Sequence, residues 1–386
     1  MNVYQRFGVP TVINAAGTVT RLSGGPMHAH VLAAMRDAAG ACVDMPTLQA
    51  GASRVIARVT GAEAGIVTSG ASAALLLGAA ACLAGLDSAR MNRLPDVADG
   101  RNEIIIVRSQ RNMYDRALTV AGGRIIEVGI PDRYSGPGVR DAAPWEIEAA
   151  ITPRTAAICY LAQPQSRPAL AEVTTVAHAH ALPVLVDAAA QLPPKDNLRR
   201  FLADGADLVA FSGGKAIGGP QASGILAGRA DLIASALMQL LDLDLYPDTW
   251  NPPDEFARLR QLRGLPQHGI GRSCKVGKEE IIGLLVALER FAATDDAARH
   301  TAWHDILRAI VAAADGTSVQ LAIVDRAVPL LELRTPDATV LADRLAAHDP
   351  PILCSVGRRE ENVLVISPAA LTMDQATIIG AALRAI

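Results

Sequence analysis

The chain has 386 residues, a net charge of −3 and 50% hydrophobic residues, enough apolar material for one large domain and a smaller one. Aromatic residues make up only 3% of the chain, so its core must be built from Ala, Val, Leu and Ile. Nucleic-acid binding usually needs a basic face or tail for phosphate contacts, and no basic arm is visible. Nucleic acid is therefore not an expected partner.

The five cysteines lie far apart and form no Cys-x-x-Cys pair. This spacing disfavours a disulfide framework and a cysteine zinc site, and it fits a reducing compartment. The N-terminal residues MNVYQRFGVP have no apolar signal-peptide core, so we expect a cytoplasmic protein. The stretch 64–86 is uncharged and long enough to cross a bilayer, but the turn signal TSG at 68–70 favours a strand followed by a buried helix.

Short β-branched runs bounded by turn residues recur through the middle of the chain. They lie at 104–107, 125–128, 157–161, 184–187, 208–212 and 224–227. Helix-like segments such as 145–151 and 170–180 lie between several of them. Nearly continuous apolar strands alternating with helices predict an α/β fold, with a mainly parallel, seven-stranded-type sheet covered by helices.

The pattern changes after about residue 275. The later segments are a helix over 278–291 and strands near 319–324, 330–334 and 363–366. They predict a smaller C-terminal α+β domain. The expected divisions are an N-terminal segment that packs on the core, a large domain and a small domain, at 1–45, 46–275 and 276–386.

Lysine is rare in this chain. Of the 36 basic residues only four are lysines, namely Lys195, Lys215, Lys275 and Lys278. An amine can form a Schiff base and a guanidinium cannot, so each lysine is a candidate for covalent chemistry.

Lys215 lies directly after a predicted strand, in the segment FSGGKAIGGP. Glycines on both sides let the backbone approach a flat ligand, and Ser212 offers a hydroxyl to a phosphate. The alternative is an exposed loop lysine. A phosphate loop of the nucleotide-binding type is excluded, because Val209 and Ala216 occupy positions where that motif needs Gly and Ser or Thr.

Two upstream features suit the same chemistry. Asp187 ends the strand 184–187, where an acid can pair with the protonated pyridine nitrogen of pyridoxal phosphate (PLP), although a helix cap is the alternative. A turn of small residues opens a long Ala/Leu helix whose N-terminus suits a phosphate, although an ordinary capped helix has the same pattern. Its members are Ser69, Gly70, Ala71 and Ser72. Anion cradle, acid and lysine, in this order, describe a PLP site.

The chain resembles the aspartate aminotransferase superfamily of PLP enzymes. More closely, it resembles selenocysteine synthase (L-seryl-tRNA selenium transferase) and its relatives, which include D-glucosaminate-6-phosphate ammonia lyase. The segments that carry this resemblance are INAAGT at 13–18, TGAEA at 60–64, the block 212–224 with GGPQ at 218–221, and VGRR at 356–359.

The resemblance implies roles for individual residues. Lys215 matches the Schiff-base lysine and Asp187 the partner of the pyridine nitrogen. The phosphate-binding positions are matched by Ser69, Gly70, Ala71, Ser72 and Ser212. In the segment 109–115, Gln110 is the first candidate for the group that covers the cofactor ring, and Tyr114 is the second.

Arginine usually holds the substrate carboxylate in this superfamily, because its geometry allows two parallel hydrogen bonds. Arg272 and Arg358 are the candidates. His268 precedes Arg272 and suits a second acid/base, although a structural loop histidine fits equally well.

The chain also departs from selenocysteine synthases. They carry an extra N-terminal helical domain that helps to hold tRNA, whereas this chain begins almost directly at the predicted core. Gly214 replaces the Asp before their lysine, and RLSGG at 21–25 replaces an early HTNLGR pattern. We therefore expect changed substrate contacts and a small-molecule substrate rather than tRNA.

No metal site is expected from the histidines. His300 and His304 have helical i, i+4 spacing, but Thr301 stands where a zinc hydrolase has glutamate. His178 and His180 lie two positions apart on a predicted helix, so they do not share a face.

The expected function is that of a PLP-dependent lyase. Lys215 removes the Cα proton of a small amino acid or amino sugar acid, and a β-hydroxyl group then leaves by β-elimination. The resulting enamine gives a keto acid and ammonia, as in an ammonia lyase or dehydratase. Racemisation and aldol cleavage remain alternatives, as do a selenium-transferase-like tRNA-modifying enzyme and a catalytically silent relative. The resemblance also implies a homodimer or larger homo-oligomer.

Overall fold

The computed structural model describes residues 3–98, 100–130 and 141–386. The chain divides into two compact units, each with its own buried core. We call residues 28–213 and 222–290 the sheet unit. Residues 3–27, 214–221 and 291–386 form the terminal unit.

The strands, in chain order, are β1 (Ile13–Ala15), β2 (Ala64–Thr68), β3 (Glu103–Val107), β4 (Arg124–Val128), β5 (Thr155–Leu161), β6 (Val184–Asp187), β7 (Leu208–Ser212), β8 (Gly224–Gly228), β9 (Gln320–Val324), β10 (Leu330–Arg334), β11 (Ile352–Cys354) and β12 (Val363–Ile366). The α-helices are α1 (Val3–Arg6), α2 (Ala29–Ala39), α3 (Met45–Thr60), α4 (Ala71–Ala84), α5 (Ser88–Arg93), α6 (Arg116–Val120), α7 (Pro144–Ala149), α8 (Leu170–Ala179), α9 (Asn197–Ala203), α10 (Ala230–Leu240), α11 (Lys278–Ala293), α12 (Asp296–Ala313), α13 (Ala338–Ala346) and α14 (Met373–Arg384).

The sheet unit contains a seven-stranded sheet in the order β2-β8-β7-β6-β5-β3-β4. Strand β8 runs antiparallel to β2 and β7, and the other pairs are parallel. Every residue of β3 is buried. Because successive side chains point to opposite faces, this strand must be covered on both sides. The predicted α/β fold with a mainly parallel sheet is confirmed, and the six predicted strands of this region are correct to within two residues.

The uncharged stretch 64–86 forms β2 and α4. Helix α4 is apolar on all sides because it is buried within the largest hydrophobic cluster of the sheet unit. Gly78 allows α4 to approach the sheet closely, since a Cβ atom there would lie 2.9 Å from Leu185 Cδ1. Among the residues described, no helix is both long enough and apolar enough to span a bilayer.

The terminal unit combines an antiparallel sheet, in the order β12-β10-β9, with a parallel pair formed by β1 and β11. Helices α12, α13 and α14 contribute to its core. Strand β1 thus lies in this unit. A three-residue strand does not reveal its partner, which here is more than 300 residues away. The domain limits 1–45, 46–275 and 276–386 remain a prediction.

Candidate active site

The carboxyl ends of six strands, all but β8, meet at one edge of the seven-stranded sheet. Strands β2 and β7 are both antiparallel to β8, so they run parallel to each other and to β6, β5 and β3. The register pairs Thr68 and Ser212 with the same residue, Gly224, and pairs Asp187 with Ala210. The predicted residues Ser69–Ser72, Gln110, Asp187 and Ser212 therefore lie at or just beyond this edge, which is where open parallel sheets bind ligands.

Asp187 is a buried acid at the end of β6, with 7% of its surface exposed. One of its carboxylate oxygens, Oδ1, accepts a hydrogen bond of 3.0 Å from the main-chain N–H of Ala189. No helix begins there, since the next helix in the described chain, α9, starts at Asn197. The helix-cap alternative for Asp187 therefore fails. Burial first and the nearby Asp187 charge second raise the pKa of the Cys159 thiol, so that cysteine stays protonated.

The turn after β2 presents the N-terminus of α4 at the same edge. Its N-cap is Gly70, with φ 132° and ψ 166°, and no side chain caps the helix. The Thr68 hydroxyl donates to the Gly70 carbonyl at 2.9 Å and stabilises the turn. Gly224 lies directly against this turn, because a Cβ atom there would overlap Gly70 and lie 2.7 Å from the Ala71 nitrogen. The turn therefore keeps a fixed shape and leaves a helix N-terminus for an anion.

Two side chains of α3 hold β2 from its open side. Strand β2 is the outermost strand of the sheet. The side-chain amide of Gln49 both donates a hydrogen bond to this strand's main chain and accepts one from it. Gln49 Nε2 donates to the Val67 carbonyl at 2.8 Å, and the Val67 N–H donates to Gln49 Oε1 at 3.0 Å. The Gly65 N–H donates to the Ser53 hydroxyl at 3.1 Å. Sequence reasoning missed Gln49, because nothing in a helix sequence indicates which strand its side chain will bond.

Lys215 follows Ser212 by three residues, in the loop that joins β7 to β8. The loop closes through a 2.9 Å hydrogen bond from the Gly213 N–H to the Ser223 carbonyl. Inside the loop, the Gly218 N–H donates to the Lys215 carbonyl at 2.9 Å, with Gly218 at φ +75°. Residues 214–221 of the loop belong to the terminal unit.

Within the terminal unit, the early INAAGT segment supports the lysine loop. The buried Asn14 Nδ2 donates to the carbonyls of Gly17, at 2.8 Å, and of Gly24, at 2.6 Å. Gly24 has φ +71° and lies against the loop, because a Cβ atom there would overlap Gln221 Oε1 and lie 3.0 Å from the Gly214 carbonyl oxygen. Asn14 was part of the resemblance, but no role could be predicted for it from the sequence alone.

Gln110 lies just beyond β3 with only 1% of its surface exposed. Its Oε1 accepts a 3.0 Å hydrogen bond from the Leu161 N–H, and its Nε2 donates to the Arg167 carbonyl at 3.3 Å. These bonds favour a structural role that joins the ends of β3 and β5. Tyr114, the second candidate for the ring cover, is 55% exposed. The identity of the ring-covering group remains a prediction.

Arg272 lines a cavity of about 400 Å³ in the sheet unit together with Ser69, from the turn before α4. Arg272 Nε donates to Asp242 Oδ2 at 3.1 Å. The Asp244 main-chain N–H first, and Arg272 second, lower the pKa of Asp242, so this partner stays charged at neutral pH. His268 is exposed, with φ 43°, on the loop before Arg272. The structure thus places Arg272 in the same cavity as the turn before α4.

Arg358 lies in the terminal unit, where it already contacts two carboxylates. It bonds Glu361, with Nη2 at 2.7 Å from Oε2, and also Glu332. Hydrogen bonds to Glu361 and Glu332 raise the pKa of Arg358 above its ordinary value. Glu332 is buried and also accepts from Arg334 at 2.8 Å. A substrate carboxylate would have to compete with these partners.

The described groups fit a flat cofactor that carries a phosphate. An uncapped helix N-terminus and the Ser212 hydroxyl suit the phosphate, and the buried Asp187 carboxylate suits a ring nitrogen, all at one edge of one sheet. This combination of fold and edge chemistry is that of the fold-type I PLP enzymes.

Comparisons with known proteins also indicate a PLP enzyme of this fold type. Residues 12–245 match the family described as SelA, L-seryl-tRNA selenium transferase. The chain is 32% identical to a 5'-C-glycyluridine monooxygenase-decarboxylase from Streptomyces, over 96% of this chain and 88% of the relative. It is 33% identical to a D-glucosaminate-6-phosphate ammonia lyase from Salmonella typhimurium, over 75% of this chain and 70% of the relative.

A solved structure of D-glucosaminate-6-phosphate ammonia lyase superposes with a TM-score of 0.80 at 28% identity, covering 100% of this chain and 98% of that one. The chain therefore belongs to the L-seryl-tRNA selenium transferase family of fold-type I PLP enzymes. The ammonia-lyase relatives support PLP-dependent lyase activity.

Proposed function

We propose that this chain binds PLP through Lys215 and removes the Cα proton of a small amino acid or amino sugar acid, with β-elimination and release of ammonia. The observation that carries the proposal is the common sheet edge of the Ser69–Ser72 turn, the buried Asp187 and Ser212. Lys215 follows Ser212 by three residues in the chain and is the amine with the sequence context of a cofactor lysine.

Each residue has a defined task in this proposal. Bound PLP supplies an electron-accepting ring that stabilises negative charge at the substrate Cα. The N–H groups of the Ser69–Ser72 turn and the Ser212 hydroxyl bind its phosphate. Asp187 keeps a proton on the pyridine nitrogen. Lys215 Nζ accepts the proton from Cα, and Arg272 orients the substrate carboxylate.

An oxygen-dependent reaction at the same substrate carbon is the second candidate. It is favoured by the similarity to the monooxygenase-decarboxylase, which extends over 96% of this chain. Oxygen consumption with carbon dioxide release would support it. Ammonia and keto-acid release without oxygen consumption would support the lyase instead.

We further propose that the enzyme works in the cytoplasm as a homodimer or larger homo-oligomer on a small molecule rather than tRNA. Net charge −3 disfavours strong phosphate-backbone binding. Filter binding with tRNA at physiological salt should show no retention, and sedimentation should show more than one chain per particle. Saturable tRNA binding would restore the tRNA-modifying alternative.

The proposed reaction is tested with a panel of β-hydroxy amino acids and amino sugar acids, with ammonia release as the readout. Lys215→Ala should abolish both ammonia release and the yellow absorbance of bound PLP. Lys278→Ala is the matched control, because this amine contacts Glu279. Full turnover in Lys215→Ala would refute the proposal.

A further inference from the structure

Two histidines and an aspartate form a compact cluster in the terminal unit. His300 and His304 lie one turn apart on α12, with ring centroids 4.6 Å apart. Both turn Nε2 towards the same atom, Asp325 Oδ1, at 2.8 Å from His300 and 3.4 Å from His304. The three potential ligand atoms all lie within 4.8 Å of one another.

The atoms in this cluster are those that transition metals prefer. Zn²⁺ takes imidazole nitrogen and carboxylate oxygen at about 2.0–2.2 Å, usually in a tetrahedron whose fourth position can be water. Tetrahedral ligands at that distance are separated by roughly 3.4 Å. The distances from Asp325 Oδ1 to the two histidine nitrogens, 2.8 and 3.4 Å, are close to this value. The Arg326 carbonyl, 3.1 Å from His300 Nε2, adds a further oxygen beside the cluster.

A pair of simple ion pairs explains this arrangement less well. For both histidines to bond Asp325 Oδ1, each Nε2 must carry a proton, whereas a metal uses the lone pairs of neutral imidazoles. The Asp325 side chain is 75% exposed, where an ion pair contributes little. In this cluster one carboxylate oxygen lies 2.8 and 3.4 Å from two imidazole nitrogens, which is a suitable spacing for three ligands of one metal ion.

We propose that His300, His304 and Asp325 bind one divalent transition metal ion, with Zn²⁺ as the expected occupant. The metal would fasten the segment after β9 to α12 and so stabilise the terminal unit. The sequence comparison with zinc hydrolases considered only a glutamate beside His300 as the further residue of a metal site. The third ligand instead follows a strand 21 residues beyond His304.

Calorimetric titration of ZnCl₂ into the full-length, PLP-loaded protein, freed of metal and of any histidine tag, tests the site. We expect one tight Zn²⁺ per chain. His300→Ala, His304→Ala and Asp325→Asn should each weaken binding at least about tenfold, since even residues that only support metal ligands cost 10–100-fold. Cys42→Ser in the parent and in every variant removes an exposed thiol, a group that competes for zinc because thiolates are zinc ligands.

His180→Ala is the matched control, because His180 contacts a single carboxylate, Glu148, at 3.0 Å. It should leave Zn²⁺ affinity unchanged. Zn²⁺ should raise the melting temperature of the parent protein but not that of His304→Ala, while the absorbance of bound PLP stays the same in both. Equal Zn²⁺ affinity in the parent and the His300→Ala/His304→Ala double variant would overturn the proposal.

Discussion

In the sheet unit, the buried side-chain amides of Gln49 and Gln110 bond main-chain groups of strands. In the terminal unit, by contrast, the buried carboxylate of Glu332 bonds the guanidinium groups of two long side chains, Arg334 and Arg358. A bond to a strand fixes both direction and distance, since the backbone of a sheet barely moves. A bond between long side chains exchanges partners easily. We therefore expect the sheet unit to hold the proposed cofactor site in a fixed geometry, and the charged side chains of the terminal unit to exchange partners more easily.

Apart from the loss of Lys215, the largest effect should come from Asp187→Asn, which removes the buried carboxylate at the end of β6. An amide does not hold a proton on the pyridine nitrogen as a carboxylate does, so we expect kcat to fall about 10³-fold, near the upper range for losing one preorganised electrostatic group. Steady-state ammonia release at saturating PLP measures this loss.

Asp207→Asn is the control, because Asp207 is a buried acid just before the opposite end of β7 that bonds Arg229 and His178. It should lower stability but leave kcat per folded enzyme unchanged. If Asp187→Asn retained full kcat, the sheet edge would not be the catalytic site.

Gln49→Leu should break the main-chain support of the phosphate-binding turn. It leaves the N–H and carbonyl of Val67 unsatisfied, so the free energy of unfolding should fall by about 3 kcal/mol. The Kd for PLP should rise about tenfold, which corresponds to 1.4 kcal/mol. Urea unfolding and fluorescence titration with PLP measure the two effects.

Ser53→Ala removes one bond from the same strand and should cost about 1 kcal/mol, with a smaller change in PLP affinity. An unchanged PLP Kd in Gln49→Leu would show that β2 needs no support from α3 to bind phosphate.

Asn14→Ala tests whether the terminal unit also contains a preorganised element. Losing two hydrogen bonds to Gly17 and Gly24 should cost about 2 kcal/mol and loosen the contacts of Gly24 with the Lys215 loop. When equal amounts of folded protein are compared, we expect a smaller fraction of the bound PLP to be in the yellow, lysine-attached form.

Asn102→Ala is the matched control, since Asn102 is a buried asparagine whose Oδ1 bonds Arg154 in the sheet unit. An identical loss of yellow form in both variants would assign the effect to general destabilisation.

The smallest effect should come from Glu332→Gln. The hydrogen bond from Arg358, above all, lowers the pKa of Glu332 in the folded chain. A carboxyl with a lowered pKa stabilises the fold above its unfolded pKa of about 4.3, and this contribution is lost as pH falls through the lower, folded pKa. The variant should therefore be less stable than the parent at pH 7, by about 1 kcal/mol, and equal to it in acid.

Thermal unfolding across that pH range measures the difference, with the exposed Glu360→Gln as control. If the stability difference between Glu332→Gln and the parent persisted unchanged in acid, the charge of the Glu332 carboxylate would not be the source of the stabilisation.

The strands of the sheet unit could be predicted from the sequence because a buried strand appears as a short, continuous run of apolar residues. Strands β6 and β7 are buried almost throughout, so their sequences are nearly unbroken apolar runs. Asp187 and Ser212 became candidates because of their position at the strand ends. Lys215 was found from its glycine-rich context and the rarity of lysine.

What the sequence missed depends on contacts between distant segments. The pairing of β1 with β11, the bond of Gln49 to Val67 and the approach of Asp325 to His300 join residues that no local pattern connects. Periodicity reports which face of an element is buried, but it does not report which partner buries it.

The central claim is that Lys215 carries the cofactor. Borohydride reduction of the yellow protein, followed by protease digestion and mass spectrometry, fixes PLP to the lysine that holds it. We predict one reduced pyridoxyl group per chain, on the peptide that contains Lys215. The same mass on Lys195, Lys275 or Lys278, with Lys215 unmodified, would contradict the account.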